Sequence, residues 1–433
     1  MQAEGLLHKD GLEYSEGMQR GVLVGVLVVA SAAAAWAFVE SLEDALYVPP
    51  DHPAIQYATQ PSNDPVARLA KKIGSGQVKL DYAAGGLGYL PALLKQLDVP
   101  VDSQVLVFSK GSIQAEHISP RTPRAIYFND DVAVGYVQNG DALELTGLDP
   151  VRGVYLYTLD TPKAAKVEFG RRSDCLRCHE GPPTLAVPGL MVSSVHPRTD
   201  AREGHGSSFI TDDRVPIAER WGGWYVTGTT GAQTHYGNNV ALVDPLHPGD
   251  ASPNEATQNQ TSLAAFFDTS RYLAPTSDIV ALMTLEHQAR MTNLLVRIGW
   301  DARIALYDKK WDDAQMNSEI EQMVTYMLFA DEAPLKAPVT GVSTFTKTFA
   351  ARGPRDRQGR SLRDFDLKTR LFRYPLSYMI YSAAFDNLPD RARDLVYQKL
   401  YARLQAGNRA DVLEIVRETK PGLPAFWRDA QSR

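Results

Sequence analysis

The residues best suited to chemistry are Cys175, Cys178 and His179, in the run Cys175-Leu176-Arg177-Cys178-His179. The chain has only two cysteines, three positions apart, with a histidine directly after the second. Two thiols at this spacing can add to the two vinyl groups of one haem, giving two thioethers. The adjacent histidine then lies under the iron as axial ligand, which is the attachment pattern of c-type haem. Three other chemistries use parts of the same pattern. A thioredoxin-type dithiol follows a strand and opens a helix in a βαβ unit, whereas here Arg171-Arg172-Ser173-Asp174 precedes and Gly181-Pro182-Pro183 follows. A zinc site needs a fourth ligand and usually a second C-x-x-C. A structural disulfide is the plainest alternative. The favoured expectation is one covalent haem c on Cys175 and Cys178, with His179 on the iron.

The second axial ligand would decide the chemistry, since methionine raises the iron's potential relative to histidine. The chain has nine histidines. His8, His52 and His117 lie in unpromising settings, leaving His196, His205, His235, His247 and His287, with Met191, Met283 and Met291. His235, in the polar, glycine-containing Thr234-His235-Tyr236-Gly237-Asn238, has little reason to be core and ranks first as the metal's second ligand. Met191 ranks second, on a loop able to fold back from the motif. His287 ranks third: Val280, Met283, His287, Met291, Leu294 and Ile298 recur three or four apart on one helix face, where a lone histidine is more often a hydrogen-bonded core residue. Arg171, Arg172, Arg177, Arg214 and Arg220 are candidate propionate partners, each equally readable as a solvated charge.

The elements that must hold these residues fall into three stretches. Short runs rich in Val, Tyr, Leu and Phe over 104–108, 125–128, 133–137, 142–145 and 154–159 read as strands separated by turn residues. Asn139-Gly140 marks a hairpin. Residues 180–260 are rich in Gly, Pro, Thr, Asn and His and predict a long loop region ordered by something it surrounds. Helical periodicity covers 278–298, capped by Ser277 or Asp278, and then 315–330, 376–385, 389–406 and 411–419, with a polar, basic loop over 340–372. A polar helix is predicted over 64–74. The fold class is therefore α+β: a β-rich N-terminal half, an irregular middle carrying the motif, and a helical C-terminal third. The implied organisation is a leader or anchor over 1–39, an entry segment over 40–100, a β-rich region over 101–275 and a helical region over 276–433.

Gly21 to Val39 is an uncharged apolar run preceded by Arg20 and containing Ala35-Trp36-Ala37 as a small-x-small cleavage site. It reads as a signal peptide, with Met18 as an alternative start, or as an uncleaved membrane anchor. The alternative is a buried helix. Export places the protein in the bacterial periplasm or on the outer face of the cytoplasmic membrane, where its partner would be a redox protein. At 433 residues, 44% hydrophobic and 22% charged, the composition excludes fibres, disordered chains and polytopic membrane proteins. A net charge of −6 shows no basic face, so nucleic acid is not an expected partner.

Several stretches carry a family resemblance: Ser119 to Asp131, Tyr157 to Asp160, the C-x-x-C-H motif, Val187-Pro188-Gly189, Glu219 to Gly228, His235 with Gly237-Asn238, Leu285 to Gln288, Tyr374-Pro375 and the end from Thr419 to Ala425. Over most of its length the chain resembles a family of large exported bacterial proteins with a single C-x-x-C-H motif, described as cytochrome c-like and without an assigned activity. The resemblance implies a periplasmic haem protein and supplies no substrate. The family has a methionine where this chain has Tyr236, which argues against a ligand role at 236 and leaves His235 in place. The cluster Arg220-Trp221-Gly222-Gly223-Trp224-Tyr225 reads first as aromatic core and second as a haem-edge or partner contact. Two functions follow as expectations, electron transfer through a six-coordinate haem or a haem enzyme or sensor with an open iron site for peroxide or a gas. A third, a non-haem exported binding protein with a C-x-x-C disulfide, follows if the motif holds no haem.

Overall fold

The computed structural model describes residues 48–196, 207–243, 252–253 and 255–428. The chain divides into two units, Met1–Pro49 and Pro50–Arg433, and the elements described all belong to the second. The expected leader or anchor over 21–39 lies outside the described residues. Among the described residues, no helix is long and apolar enough to cross a membrane.

The fold is α+β. Its sheet has seven strands, all paired antiparallel. They are β1 (Val105–Val107), β2 (Arg124–Phe128), β3 (Val132–Tyr136), β4 (Ala142–Asp149), β5 (Gly153–Asp160) and β6 (Phe169–Arg171), with β7 (Ser193–His196) and β8 (Ser207–Ile210) forming a separate hairpin and β9 (Trp224–Tyr225) returning to the main sheet. The spatial order is β6-β5-β4-β3-β2-β1-β9. From β1 to β6 this is a meander, so each strand pairs with its sequence neighbour. Asn139 takes a left-handed φ of 59° in the β3–β4 turn, a conformation asparagine tolerates because its side chain is short and polar.

One face of the sheet meets the N-terminal segment. Tyr57 stacks on Tyr155 with ring centroids 4.4 Å apart. Asp64, the cap of helix Pro65–Gly74, accepts from the Tyr157 hydroxyl at 2.6 Å. The opposite face looks toward the long helix Ile279–Tyr307: Thr146, Leu148 and Val154 line a small cavity together with Leu190, Leu285, Gln288 and Thr292.

That helix is the longest described element of the second unit, 29 residues. Every residue from Ile279 to Ala289 is buried, so the apolar stripe predicted on one face underestimates its enclosure. Its polar residues are therefore buried too, and Glu286, His287, Gln288 and Asn293 are tied to segments outside the helix, as buried polar groups generally are. Glu286 accepts from Arg220 at 3.0 Å and from the Trp221 indole at 3.1 Å. Gln288 donates to the Asn129 carbonyl at 2.7 Å and accepts from Tyr378 at 2.9 Å. At the N-terminus the Asp278 carboxylate accepts from Val280 and Ala281 and, through its other oxygen, from Val342 at 2.8 Å and Ser343 at 2.7 Å.

Four stretches depart from expectation, the first being the helix expected over 376–385, which is a 3₁₀ turn at Tyr378–Tyr381 and a single helical turn at Ala383–Asp386, parted by an extended Ser382. The irregular middle contains the β7–β8 hairpin and the two-residue β9, too short for periodicity to register. The basic loop over 340–372 contains helix Phe345–Ala351, and the entry segment a second helix, Leu90–Gln96. Both are seven-residue helices, below the length at which amphipathic spacing is distinctive. The Arg220–Tyr225 cluster is core: Trp221 and Tyr225 are fully buried and Trp224 nearly so.

Candidate functional site

The motif follows the sheet's edge. After β6 the ladder continues one step, with the Arg172 amide donating to the Leu156 carbonyl at 2.9 Å. The chain then turns at Ser173 and forms the single helical turn Leu176–His179. One turn places positions i, i+3 and i+4 on the same side, so Cys175, Cys178 and His179 project together. Both thiols are free, Cys178 exposed and Cys175 partly buried. Burial, and then the neighbouring Asp174 carboxylate, push the Cys175 thiol pKa up. Asp174 is itself held low, to about 2, mainly by its hydrogen bond from Arg172.

The segment after the motif doubles back on it. Leu185 and Ala186 take left-handed φ values of 62° and 55°, a conformation that costs non-glycine residues roughly 1–2 kcal/mol each. The reversal is held by the Ala186 amide donating to the Gly181 carbonyl at 2.8 Å and by Arg297 of the long helix donating to the Leu185 carbonyl at 3.0 Å. It brings Gly189 onto His179: the Gly189 amide donates to the His179 carbonyl at 2.9 Å, and His179 Nδ1 stands 2.9 Å from the Gly189 carbonyl. A carbonyl only accepts, so Nδ1 carries the proton and Nε2 keeps its lone pair. Burial holds the His179 pKa below its ordinary value, opposed by the Gly189 carbonyl. The turn thus presents two reachable thiols and a neutral imidazole with one open nitrogen. Among the described residues, no three His, Cys, Asp or Glu side chains converge as they would on a bare metal ion.

The other candidates stand in separate settings. His235 is 2% exposed, contrary to the expectation that its polar segment keeps it out of the core. Trp221 packs edge-on at 5.2 Å, and Gln258 bonds the His235 backbone in both directions at 3.0 Å. Its Nδ1 is buried without a hydrogen-bond partner, and burial drives its pKa down to about 4. Met191 is partly buried, two residues beyond Gly189 along the chain. His287 has both ring nitrogens engaged, Nδ1 with Asp213 at 3.0 Å and Nε2 with Ser377 at 2.8 Å, and its ring stacks on Phe329 at 4.4 Å. His205 and His247 lie outside the described residues. Of the arginines, Arg220 is paired with Glu286 and Arg214 with Asp212 at 2.7 Å, Arg171 donates to the Tyr57 carbonyl at 2.7 Å and Arg172 pairs with Asp174 at 2.6 Å just before the motif, and Arg177 lies within it.

Sequence reading did not foresee two features. One is the Asp213–His287–Ser377 relay, which has the order of a hydrolase triad. His287 and Ser377 are 0% exposed and Asp213 3%, so no substrate reaches the hydroxyl and the relay ties three chain segments together. The other is Asn293, whose side chain holds the Leu190 backbone next to the motif. The only sequence signal for it was a polar residue inside the helical periodicity.

No family model matches the chain, and neither a curated protein nor a solved structure is significantly similar to it.

Proposed function

We propose that this is an exported protein carrying one covalent haem c, which Cys175 and Cys178 would hold by thioethers and His179 would bind at the iron, and that it transfers electrons in the bacterial periplasm. The observation that carries the reading is the His179–Gly189 contact: it leaves Nε2 as the free donor on the same turn that presents both free thiols. An outer-shell carbonyl on the far nitrogen is how a protein orients a metal-bound histidine and raises its basicity. The donor set fits the group, with two thiols for two vinyls and one neutral imidazole for the iron. When bound, the haem would supply a one-electron couple, and the chain's own residues would set its orientation. The C-x-x-C-H spacing and the apolar run over 21–39 support the same reading.

A second reading, an open iron site for peroxide or a gas, is favoured by one set of observations. His287 has no free ring nitrogen, and the contacts around His235 are with Trp221 and Gln258 rather than with the motif. The test of the main proposal is covalent retention of haem on a denaturing gel after maturation with a c-haem attachment system. Cys175→Ala or Cys178→Ala should weaken retention, and the double variant should abolish it. A double variant that still holds haem covalently refutes the assignment.

A further inference from the structure

We infer that Asn293 is a positioning residue: through one peptide plane it fixes which nitrogen of His179 carries the proton, and so how strongly the other can donate. The inference rests on the haem reading for its consequence, but not for its geometry. The Gly189 carbonyl that meets His179 Nδ1 belongs to the same peptide unit as the Leu190 N–H. In a trans peptide these two groups point in opposite directions. The Leu190 N–H donates to Asn293 Oδ1 at 2.9 Å, so holding it on the long helix's side aims the carbonyl at His179. Asn293 Nδ2 also donates to the Leu190 carbonyl at 2.7 Å, which locks the next plane as well. A carboxamide is the short side chain that offers one acceptor and one donor to such a pair.

The surroundings make the clamp specific. Asn293 is 1% exposed, on a helix whose residues from Ile279 to Ala289 are all buried. A Cβ at position 189 would stand 2.2 Å from Asn293 Oδ1, so the glycine of Val187-Pro188-Gly189 is required by the amide's close approach. The opposite end of the turn is pinned independently through Arg297 and the Leu185 carbonyl. Loss of Asn293 would therefore free the Gly189 plane while the rest of the turn stayed attached.

The experiment uses the full chain in two forms. In the haem-free chain, the nitrogen-15 shifts of a labelled His179 imidazole report its tautomer. The unmodified protein should hold the proton on Nδ1, and Asn293→Ala should shift it toward Nε2. In the haem-loaded chain, loss of the carbonyl contact weakens donation to ferric iron, so the reduction potential should rise. A tenfold change in the ferric/ferrous equilibrium corresponds to about 59 mV for one electron. Gly189→Ala provides a second route, because it displaces the amide while keeping Asn293. It should reproduce both shifts, and combining it with Asn293→Ala should add little, as expected for two changes in one contact. An Nδ1 proton and a potential unchanged in both variants, with only the urea midpoint lowered, would overturn the inference and leave Asn293 a packing residue. Failure of the unmodified chain to take up haem would refute the haem reading, while the tautomer measurement would still decide the role of Asn293.

Discussion

Replacing His287 with alanine separates a core histidine from an iron ligand, and the structure sets the size of the effect. The ring stacks on Phe329 at 4.4 Å and on Tyr326 at 5.2 Å, nearly parallel to the latter at 8°. Truncating a buried ring of this kind costs about 3 kcal/mol at the low end of aromatic-to-alanine changes. Asp213 would also lose its contact through Oδ2, and its Oδ1 already lacks a partner. A buried acceptor left unmet costs roughly 1–3 kcal/mol more. The total is about 5 kcal/mol, a large part of the ~5–15 kcal/mol by which folded proteins are stable. His287→Phe should keep the stacking and cost only the unmet polar groups, about 2 kcal/mol. Urea unfolding followed by far-ultraviolet circular dichroism measures both, and the ferric spectrum of the haem-loaded protein should be the same in each folded variant. A loss below about 1 kcal/mol for alanine, or a change in iron coordination at undiminished stability, would refute the reasoning.

Two further results should follow. His235, with its pKa lowered to about 4 by burial, binds its proton more readily unfolded than folded. Its contribution to stability is therefore complete above about pH 6.5 and is lost as pH falls toward 4, by up to roughly 3 kcal/mol. In the haem-free chain His235→Gln should flatten the stability profile over that window, and an unchanged slope would count against a buried neutral imidazole. Asp278→Ala strips acceptors from four backbone amides and should cost about 3 kcal/mol, with faster hydrogen exchange at Val342 and Ser343; native protection there would contradict the double cap.

What the sequence discloses about this fold follows the range of the interactions involved. The strands β1 to β5 and the helices capped at Asp64 and Asp278 are legible because alternation, turn residues and caps act within a few positions. The motif is legible for the same reason, since the placement of Cys175, Cys178 and His179 needs only one helical turn. The enclosure of the long helix is not legible, because periodicity marks the apolar face and says nothing of loops that bring Arg220, Asp213, Asn129 and Leu190 to its polar residues. His235 shows the same limit. Its flanking glycine and polar residues look solvent-facing, yet Trp221 and Gln258, 14 and 23 residues away along the chain, close over it. Gly189 could be noticed as a turn residue, but its function in the fold depends on Asn293, more than a hundred positions later.

The central claim is tested most directly by the pyridine haemochrome spectrum of the purified full chain, matured in the bacterial periplasm with a c-haem attachment system and freed of loosely held haem by acid–acetone extraction. The account predicts one haem per chain that resists extraction, with the absorption of a haem whose two vinyl groups have both become thioethers. A chain that emerges without haem, with Cys175 and Cys178 joined as a disulfide, or whose haem is extracted with both vinyls intact, would contradict it.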